Sequence, residues 1–400
     1  MHPSNVKSSP DIDLSLSGKV VLLSGLTLSS YALFGISPIL PEITAHFADM
    51  PNAGLLTRML ISATGFVVAI ASPVVGAIAD RFGPRRVLLF ALFSYAVVGC
   101  APFFLNDLYA ILFSRILMGF AVAAVGAVIL VILVTRSQGT LRDRWLGYLN
   151  VTATVVSILY APLVGYVGHF GWRWPFLTFA LVLPLFFLTL VGITPDSPRV
   201  TVDDDIQFRK RFTLGTPPSF IAFALGAGAV LVSSSVYIPF RIREIGVTDS
   251  INIGLLLIPA SITGVISGLC YGSIRSKLSL SATFVVGFTI IAIGLTTTAL
   301  AQQPNQIVIG QLMTGLGTGL SMPNYFLLAS ITGSDVHRAR TMGFAKSGIY
   351  GGPMLGQLLF EPIIARTNFK VVLILLSVGC MAFALHFVRC VVGRRPVTST

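Results

Sequence analysis

The chain has 400 residues, of which 54% are hydrophobic and only 10% are Asp, Glu, Lys or Arg. A water-soluble protein of this length needs a larger charged surface, so the composition excludes a soluble globular protein and favours one that lipid surrounds. The formal net charge is +12, but the basic residues lie in short groups between apolar runs, which argues against a protein that binds nucleic acid.

Twelve apolar runs, numbered spans 1 to 12 in chain order, are long enough to cross a bilayer as helices. Their predicted bounds are 19–41, 54–79, 86–105, 108–135, 145–168, 173–193, 218–240, 252–274, 280–301, 305–331, 343–365 and 370–392. The fold class they predict is an all-α integral membrane protein with twelve transmembrane helices in two six-helix halves.

The polar segments between the runs predict the domain organisation. Residues 1–18 are predicted to form a cytoplasmic tail, 19–193 the N-terminal six-helix bundle, 194–217 a cytoplasmic linker, 218–392 the C-terminal bundle and 393–400 a second cytoplasmic tail. The linker is polar, mixed in charge and flanked by proline, as expected of a connector between two domains.

The distribution of basic residues predicts the orientation in the membrane. Twenty of the 27 Lys and Arg residues, Lys346 among them, are assigned to tails and loops on one side of the predicted spans, and six, Arg58 among them, are assigned to the other. Because cytoplasmic loops carry the excess of positive charge, both termini are predicted to be cytoplasmic in a multi-pass protein of the cell inner (plasma) membrane. This assignment leaves Arg115 as the only basic residue inside a span.

The two halves repeat one another weakly. Gly76 and Gly272 are 196 residues apart, as are Arg115 and Gln311, and "APLVG" at 161–165 corresponds to "GPMLG" at 352–356. A repeat of this length predicts two halves related by a pseudo-twofold axis along the membrane normal, with a binding site between them at the membrane midplane.

The stretch "GAIADRFGPRRV", residues 76–87, gathers four charged residues between two apolar runs. It resembles the signature G-x-x-x-D-R-x-G-[RP]-R-[RK] of the major facilitator superfamily, and "GWRWPF" at 171–176 is similar to a second hallmark of that family. The resemblance covers essentially the whole chain. It implies a latch that forms in one conformation and breaks in the other, made by Gly76, Asp80, Arg81, Gly83, Arg85 and Arg86.

The physical interpretation of the latch rests on two of its residues. Gly76 has no side chain, so another helix is expected to approach closely at that level. Asp80 is implied to contact the start of span 11, where the exposed N–H groups of a helix N-terminus favour a carboxylate.

Further motifs are similar to those of the twelve-helix drug:proton antiporters within the family. Span 1 ends with Pro38-x-x-Pro41, and Arg115 and Gly119 match an R-x-x-x-G pattern in span 4. In span 5 the antiporter pattern is incomplete, because Ala161 and Tyr166 replace glycines. The resemblance implies proton-coupled export of a small amphipathic or drug-like molecule by alternating access.

Proton coupling is assigned to Arg115, Glu361 and Asp107. An arginine inside a span is expected to face a water-filled cavity or a paired acid, the alternative being that its side chain reaches the outer headgroups. No carboxylate lies at the predicted midplane, so Glu361 and Asp107, near the outer ends of helices, remain the candidate proton carriers.

Polar and aromatic residues on several spans predict the walls of a substrate path. In span 11, helical spacing places Lys346, Tyr350, Pro353, Gln357 and Glu361 on one face. The predicted substrate-binding residues are Tyr31, Phe34, Arg115, Tyr160, Tyr237, Gln311, Tyr350 and Gln357.

One alternative remains open beside proton-coupled export. The same fold could serve a uniporter or symporter of a polar or anionic metabolite, with Arg115 binding the negative charge. A membrane enzyme is disfavoured because no H-E-x-x-H or pair of acids lies in a span. The expected partners are a small-molecule substrate, protons and membrane lipid for a monomer, with no nucleic acid, cofactor or metal.

Overall fold

The computed structural model describes residues 14–136, 139–193, 218–332 and 338–392, and every regular element in these ranges is helical. The prediction of twelve helical spans is confirmed. The predicted linker, the C-terminal tail and most of the N-terminal tail lie outside the described residues. Nine spans in these ranges are long and apolar enough to cross a membrane by length and composition. The other three are helices of 30, 29 and 27 residues with more polar sequences, Gly139–Gly168, Pro304–Thr332 and Arg338–Ile364.

Nine of the spans are single α-helices. Spans 2 to 5 are Ala53–Phe82, Pro84–Phe104, Leu108–Arg136 and Gly139–Gly168. Spans 8 to 12 are Ser250–Arg275, Leu280–Leu300, Pro304–Thr332, Arg338–Ile364 and Phe369–Val392.

Spans 1, 6 and 7 are interrupted. Span 1 consists of α-helices Leu16–Phe34 and Leu40–His46 joined by the 3₁₀ turn Ser37–Ile39. This break coincides with Pro38 and Pro41, which lack the N–H that a continuous α-helix requires. Span 6 begins as a 3₁₀-helix, Trp174–Val182, and continues as the α-helix Leu183–Gly192. Span 7 consists of Pro218–Leu231 and Ser233–Glu244.

Two clusters of buried apolar side chains form the cores of the two halves. One joins spans 1 to 6 together with Val236 and Phe240 of span 7, and the other joins spans 7 to 12. Each half therefore has a core, and span 7 also packs against the core of the N-terminal half. Phe34, Tyr350 and Phe369 pack against both clusters and therefore lie where the halves meet.

An even number of spans places the start of span 1 and the end of span 12 at the same end of the bundle. We call this the terminal end, and the opposite end, with the loops after spans 1, 3, 5, 7, 9 and 11, the far end. Among the described residues, the hydrogen bonds that join the halves run from the far end to the bond between Ser347 Oγ and the Ala69 carbonyl oxygen, 3.4 Å long. Nearer the terminal end, a Cβ added at Gly76 or Gly272 would meet no atom within 4 Å. In the part of the chain that the structure describes, the halves are therefore joined at the far end and open towards the terminal end.

Candidate functional site

An ion pair joins the two halves at the far end. Arg58, early in span 2, is only 2% exposed, and its Nη2 donates to the Glu361 carboxylate in span 11. A buried arginine is stable only when a counter-charge and acceptors replace its water. The interpretation that Arg115 is the only basic residue inside a span is therefore wrong, because Arg58 also lies within a helix and is buried.

Two aromatic rings of the C-terminal half, those of Phe240 and Phe369, also lie next to Arg58. We call these two residues and Glu361 the Arg58 socket. The guanidinium carbon lies 5.8 Å from the Phe240 ring centroid and 5.5 Å from that of Phe369. The two rings stack on each other with centroids 4.9 Å apart. Cation–π attraction adds to the ion pair at this largely buried site, so one arginine of the N-terminal half is held by three spans of the C-terminal half.

Gln357 also joins the two halves, about one helical turn from the ion pair towards the terminal end. Its side chain is fully buried, and its Oε1 accepts a hydrogen bond of 2.5 Å from Ser62 Oγ. Its Nε2 donates to the Arg58 carbonyl oxygen at 3.2 Å. Gln357 was predicted to bind substrate, but in this conformation its polar atoms hold spans 2 and 11 together.

A second contact between the halves joins span 5 to the start of span 8. A Cβ on Gly165 would overlap the carbonyl oxygen of Ser250, and a Cβ on Gly254 would lie 2.5 Å from that of Ala161. Ser250 Oγ also donates to the Glu42 carboxylate at the end of span 1. Close backbone contact without side chains brings the helices together here.

Arg115 is fully buried within the N-terminal half, so the alternative that it reaches the headgroups is wrong. Its guanidinium carbon lies 5.2 Å and 5.0 Å from the ring centroids of Phe176 and Phe179. Its Nη2 donates to the Gly99 carbonyl oxygen at 3.2 Å, while Nε and Nη1 have no partner among the described residues. The expectation that it faces a water-filled cavity or an acid is not met in this conformation.

The three residues assigned to proton coupling lie apart. Asp107 is exposed in the loop before span 4, where its Oδ2 accepts from the Ala110 N–H at 2.9 Å. Such a bond caps the N-terminus of a helix. Glu361 is in the ion pair with Arg58, and Arg115 contacts neither acid. Their roles in proton coupling stay predictions.

Aromatic side chains from spans 1, 5 and 6 contact one another in the N-terminal half. The Tyr31 and Tyr160 rings are 5.4 Å apart edge to face, and Tyr31 also lies 4.9 Å from the Phe179 ring. The Tyr31 hydroxyl is hydrogen-bonded to Thr178. Together with Phe34 and Tyr350, which lie where the halves meet, the half-buried rings of Tyr31 and Tyr160 form the aromatic part of the candidate substrate path.

Two other predicted substrate-binding residues are buried elsewhere. Tyr237 packs against Phe369, with ring centroids 6.2 Å apart, next to the Arg58 socket. Gln311 in span 10 is 2% exposed, and its amide nitrogen has no partner among the described residues. The structure therefore gathers Tyr237 and Gln357 at the far-end closure, away from the Tyr31 cluster.

The close helix contact expected at Gly76 is not observed in this conformation, since no described atom would lie within 4 Å of a Cβ added there. The side chain of Asp80 lies outside the described part of the chain. Gly83 has φ 87°, a backbone conformation that favours glycine, and it ends span 2 directly before span 3. Arg85 Nη2 donates to the Leu190 carbonyl oxygen of the same half at 2.7 Å, and Arg81 and Arg86 are exposed. The role of these residues as a latch stays a prediction.

A bundle of twelve spans whose halves are joined at one end and parted at the other has the architecture of a membrane transporter. The family model of the Major Facilitator Superfamily matches residues 22–282 of the sequence. The chain belongs to this superfamily.

Curated relatives match most of the chain. The multi-drug resistance efflux pump PmrA of Streptococcus pneumoniae is 24% identical over 373 residues, which cover 90% of this chain and 92% of the pump. The class B tetracycline resistance protein of Escherichia coli is 22% identical over 361 residues, covering 88% of this chain and 89% of that protein.

Solved structures agree on the fold. The D-xylose-proton symporter superposes with a TM-score of 0.75 at 16% identity, covering 93% of this chain and 96% of the symporter. The nucleoside transporter NupG superposes with a TM-score of 0.73 at 14% identity, covering 93% and 98%. At these identities the similarity establishes the fold alone.

Proposed function

We propose that this protein is a secondary active transporter that exports small amphipathic or drug-like molecules by alternating access in exchange for protons. The observation that carries the proposal is the closure of the far end by the Arg58–Glu361 pair, while the terminal end stays open. A protein in this conformation binds from one side only, and opening the other side requires that the pair separate.

The orientation follows from the basic residues. Without Lys346, which lies within span 11, the tails, loops and helix ends at the terminal end carry 19 of the 27 Lys and Arg residues, so we place this end in the cytoplasm of a plasma-membrane protein. The conformation is then open to the cytoplasm, which is the state in which an exporter takes up its substrate. The protein is proposed to act as a monomer.

Protons from outside act on the far-end closure in this proposal. Glu361 holds Arg58 only while its carboxylate is ionised, and its side chain is 25% exposed. Protonation removes the counter-charge of a buried arginine and so favours separation of the outer ends. A gradient that is acidic outside would therefore promote opening to the outside. For exchange, the same proton must leave Glu361 towards the cytoplasm before the ion pair re-forms and the far end closes, so that each cycle carries one proton inwards.

The substrate class is supported by the relatives and by the path itself. PmrA is named a multi-drug resistance efflux pump, and the class B protein is named for tetracycline resistance. The rings of Tyr31, Phe34, Tyr160 and Tyr350 offer apolar faces with hydroxyl groups. Such walls suit molecules with an aromatic body and a polar edge.

Accumulation of tetracycline in inside-out vesicles with an acidic lumen tests the proposal. Wild-type protein is expected to accumulate the drug only while the pH gradient lasts. Glu361→Gln removes the group that the proton must reach, so the stimulation by the gradient should fall about tenfold. Asp49→Asn, which changes the same charge on an exposed loop at the far end, should behave as wild type. Equal wild-type transport with and without the gradient would favour the uniporter alternative.

A further inference from the structure

Lys346 in span 11 is a positively charged residue to which the transport cycle above assigns no role. Its side chain is exposed, and none of the ion pairs of the described chain includes it. A lysine at this depth in a transmembrane helix is costly unless it faces water or an opposite charge.

The helical position of Lys346 shows which way its side chain points. Leu355, Leu358 and Leu359 are 41%, 48% and 70% exposed and mark the side of span 11 that faces lipid. At about 100° per residue, Leu355 lies roughly 180° from Lys346 around the helix, whereas the fully buried Gln357 lies only about 20° away. Lys346 therefore faces the interior of the bundle, and its exposure is to water there.

The level of Lys346 in the bundle is set by its neighbour. Ser347 makes the last described hydrogen bond between the halves on the way to the terminal end, with the Ala69 carbonyl oxygen. Lys346 comes next towards that end, where the halves part. It therefore lies at the innermost point of the gap that opens to the terminal end.

Aromatic residues adjoin this point. Tyr350 follows Lys346 by one helical turn, and Phe34 of span 1 packs, like Tyr350, against the cores of both halves. Arg115, deeper in the N-terminal half, also has no acidic partner among the described residues. The innermost point of the gap thus combines apolar rings with a positive charge that has no ion-pair partner among the described side chains.

We propose that Lys346 binds the acidic group of the substrate, and that the transported molecules are amphipathic organic anions, with a carboxylate or sulfonate on an aromatic body. The ammonium group supplies the counter-charge and the rings take the apolar body. This inference rests on the proposed function, because it takes the gap as the substrate path.

Two dyes of the same shape and opposite charge test the proposal. Fluorescein is anionic at neutral pH, and rhodamine 123 carries a positive charge on the same xanthene scaffold. Fluorescence anisotropy with the purified full chain in detergent is expected to show about tenfold tighter binding of fluorescein, since one charge-assisted contact contributes this much. Lys346→Gln should weaken fluorescein binding about tenfold and leave rhodamine 123 binding within twofold of wild type. Lys346→Arg should retain fluorescein binding.

A matched control separates local from general charge effects. Lys277→Gln removes the same charge from an exposed position just beyond span 8 and should change neither affinity. Tighter wild-type binding of rhodamine 123, no binding of fluorescein, or unchanged fluorescein binding by Lys346→Gln would each overturn the proposal.

The results can distinguish a failure of the anion site at Lys346 from a failure of the proposed proton-driven export. Transport of rhodamine 123 driven by a pH gradient, without binding of fluorescein, would uphold export and refute the role of Lys346. Binding of fluorescein through Lys346, with transport that ignores the gradient, would uphold the anion site and refute proton coupling.

Discussion

Arg58→Gln is expected to shift the protein towards the conformation that is open at the far end. The substitution leaves the Glu361 carboxylate without its charged partner and empties the socket of Phe240 and Phe369. Losing a charged hydrogen bond in a largely buried site costs about 1–3 kcal/mol, equivalent to a change of roughly 5- to 150-fold in the ratio of two states. Spin labels at the exposed positions Asp49 and Thr367, on opposite halves of the far end, should report longer distances.

The double variant Arg58→Glu with Glu361→Arg provides the control for this prediction. It restores opposite charges at the same two positions, so part of the short-distance population should return. Unchanged label distances in Arg58→Gln would show that the ion pair does not hold the far end closed.

Gly165→Val is expected to disrupt the contact between spans 5 and 8, with an effect on the far end comparable to that of Arg58→Gln. The new Cβ would overlap the carbonyl oxygen of Ser250 and lie 3.0 Å from the Ile251 Cα, so backbone rather than a flexible side chain must move. Overpacking of this kind costs about 1–3 kcal/mol. The cost falls only on the conformation with the far end closed, so the same labels should again move apart and tetracycline accumulation should fall.

Gly126→Val is the matched control in span 4 of the same half. The nearest atom to a Cβ there is Ser29 Oγ at 3.7 Å, an ordinary contact. Both substitutions introduce a β-branched residue into a helix, so their helix-propensity cost is similar. Equal label distances in the two variants would remove the span 5 to span 8 contact from the closure of the far end.

Much of the fold could be predicted from the sequence because lipid imposes a simple requirement. A spanning helix needs about 20 apolar residues, and runs of that length stand out from the polar connectors. The break in span 1 likewise coincides with Pro38 and Pro41. The predicted end at 41 was five residues short of His46 because proline is tolerated in the first turn of a new helix.

The site was less predictable because it depends on contacts between distant spans. Arg58 was counted with the flanking charges of its loop, although it already lay inside the predicted span 54–79, a signal that could have identified it. Its partner Glu361 is 303 residues away in sequence, and nothing local links them. For Arg115, burial between Phe176 and Phe179 shows that rings and backbone carbonyls can take the place of the expected water or acid.

The conformation also limits what a motif can predict. The family resemblance implied close packing at Gly76, but that position is open while the far end is closed. A residue that acts in one state of a two-state protein leaves no contact in the other. In the same way, Gln357 is predicted to bind substrate, but in this conformation its polar atoms are hydrogen-bonded to Ser62 and Arg58.

The pH dependence of the Asp49–Thr367 label distance tests the central claim most directly, that protonation of Glu361 releases the far-end closure. Closure depends on ionised Glu361, so acidification should convert wild-type protein from short to long distances. Glu361→Gln should give long distances at every pH. A wild-type distance that ignores pH, or the same acid-induced shift in Glu361→Gln, would contradict the account.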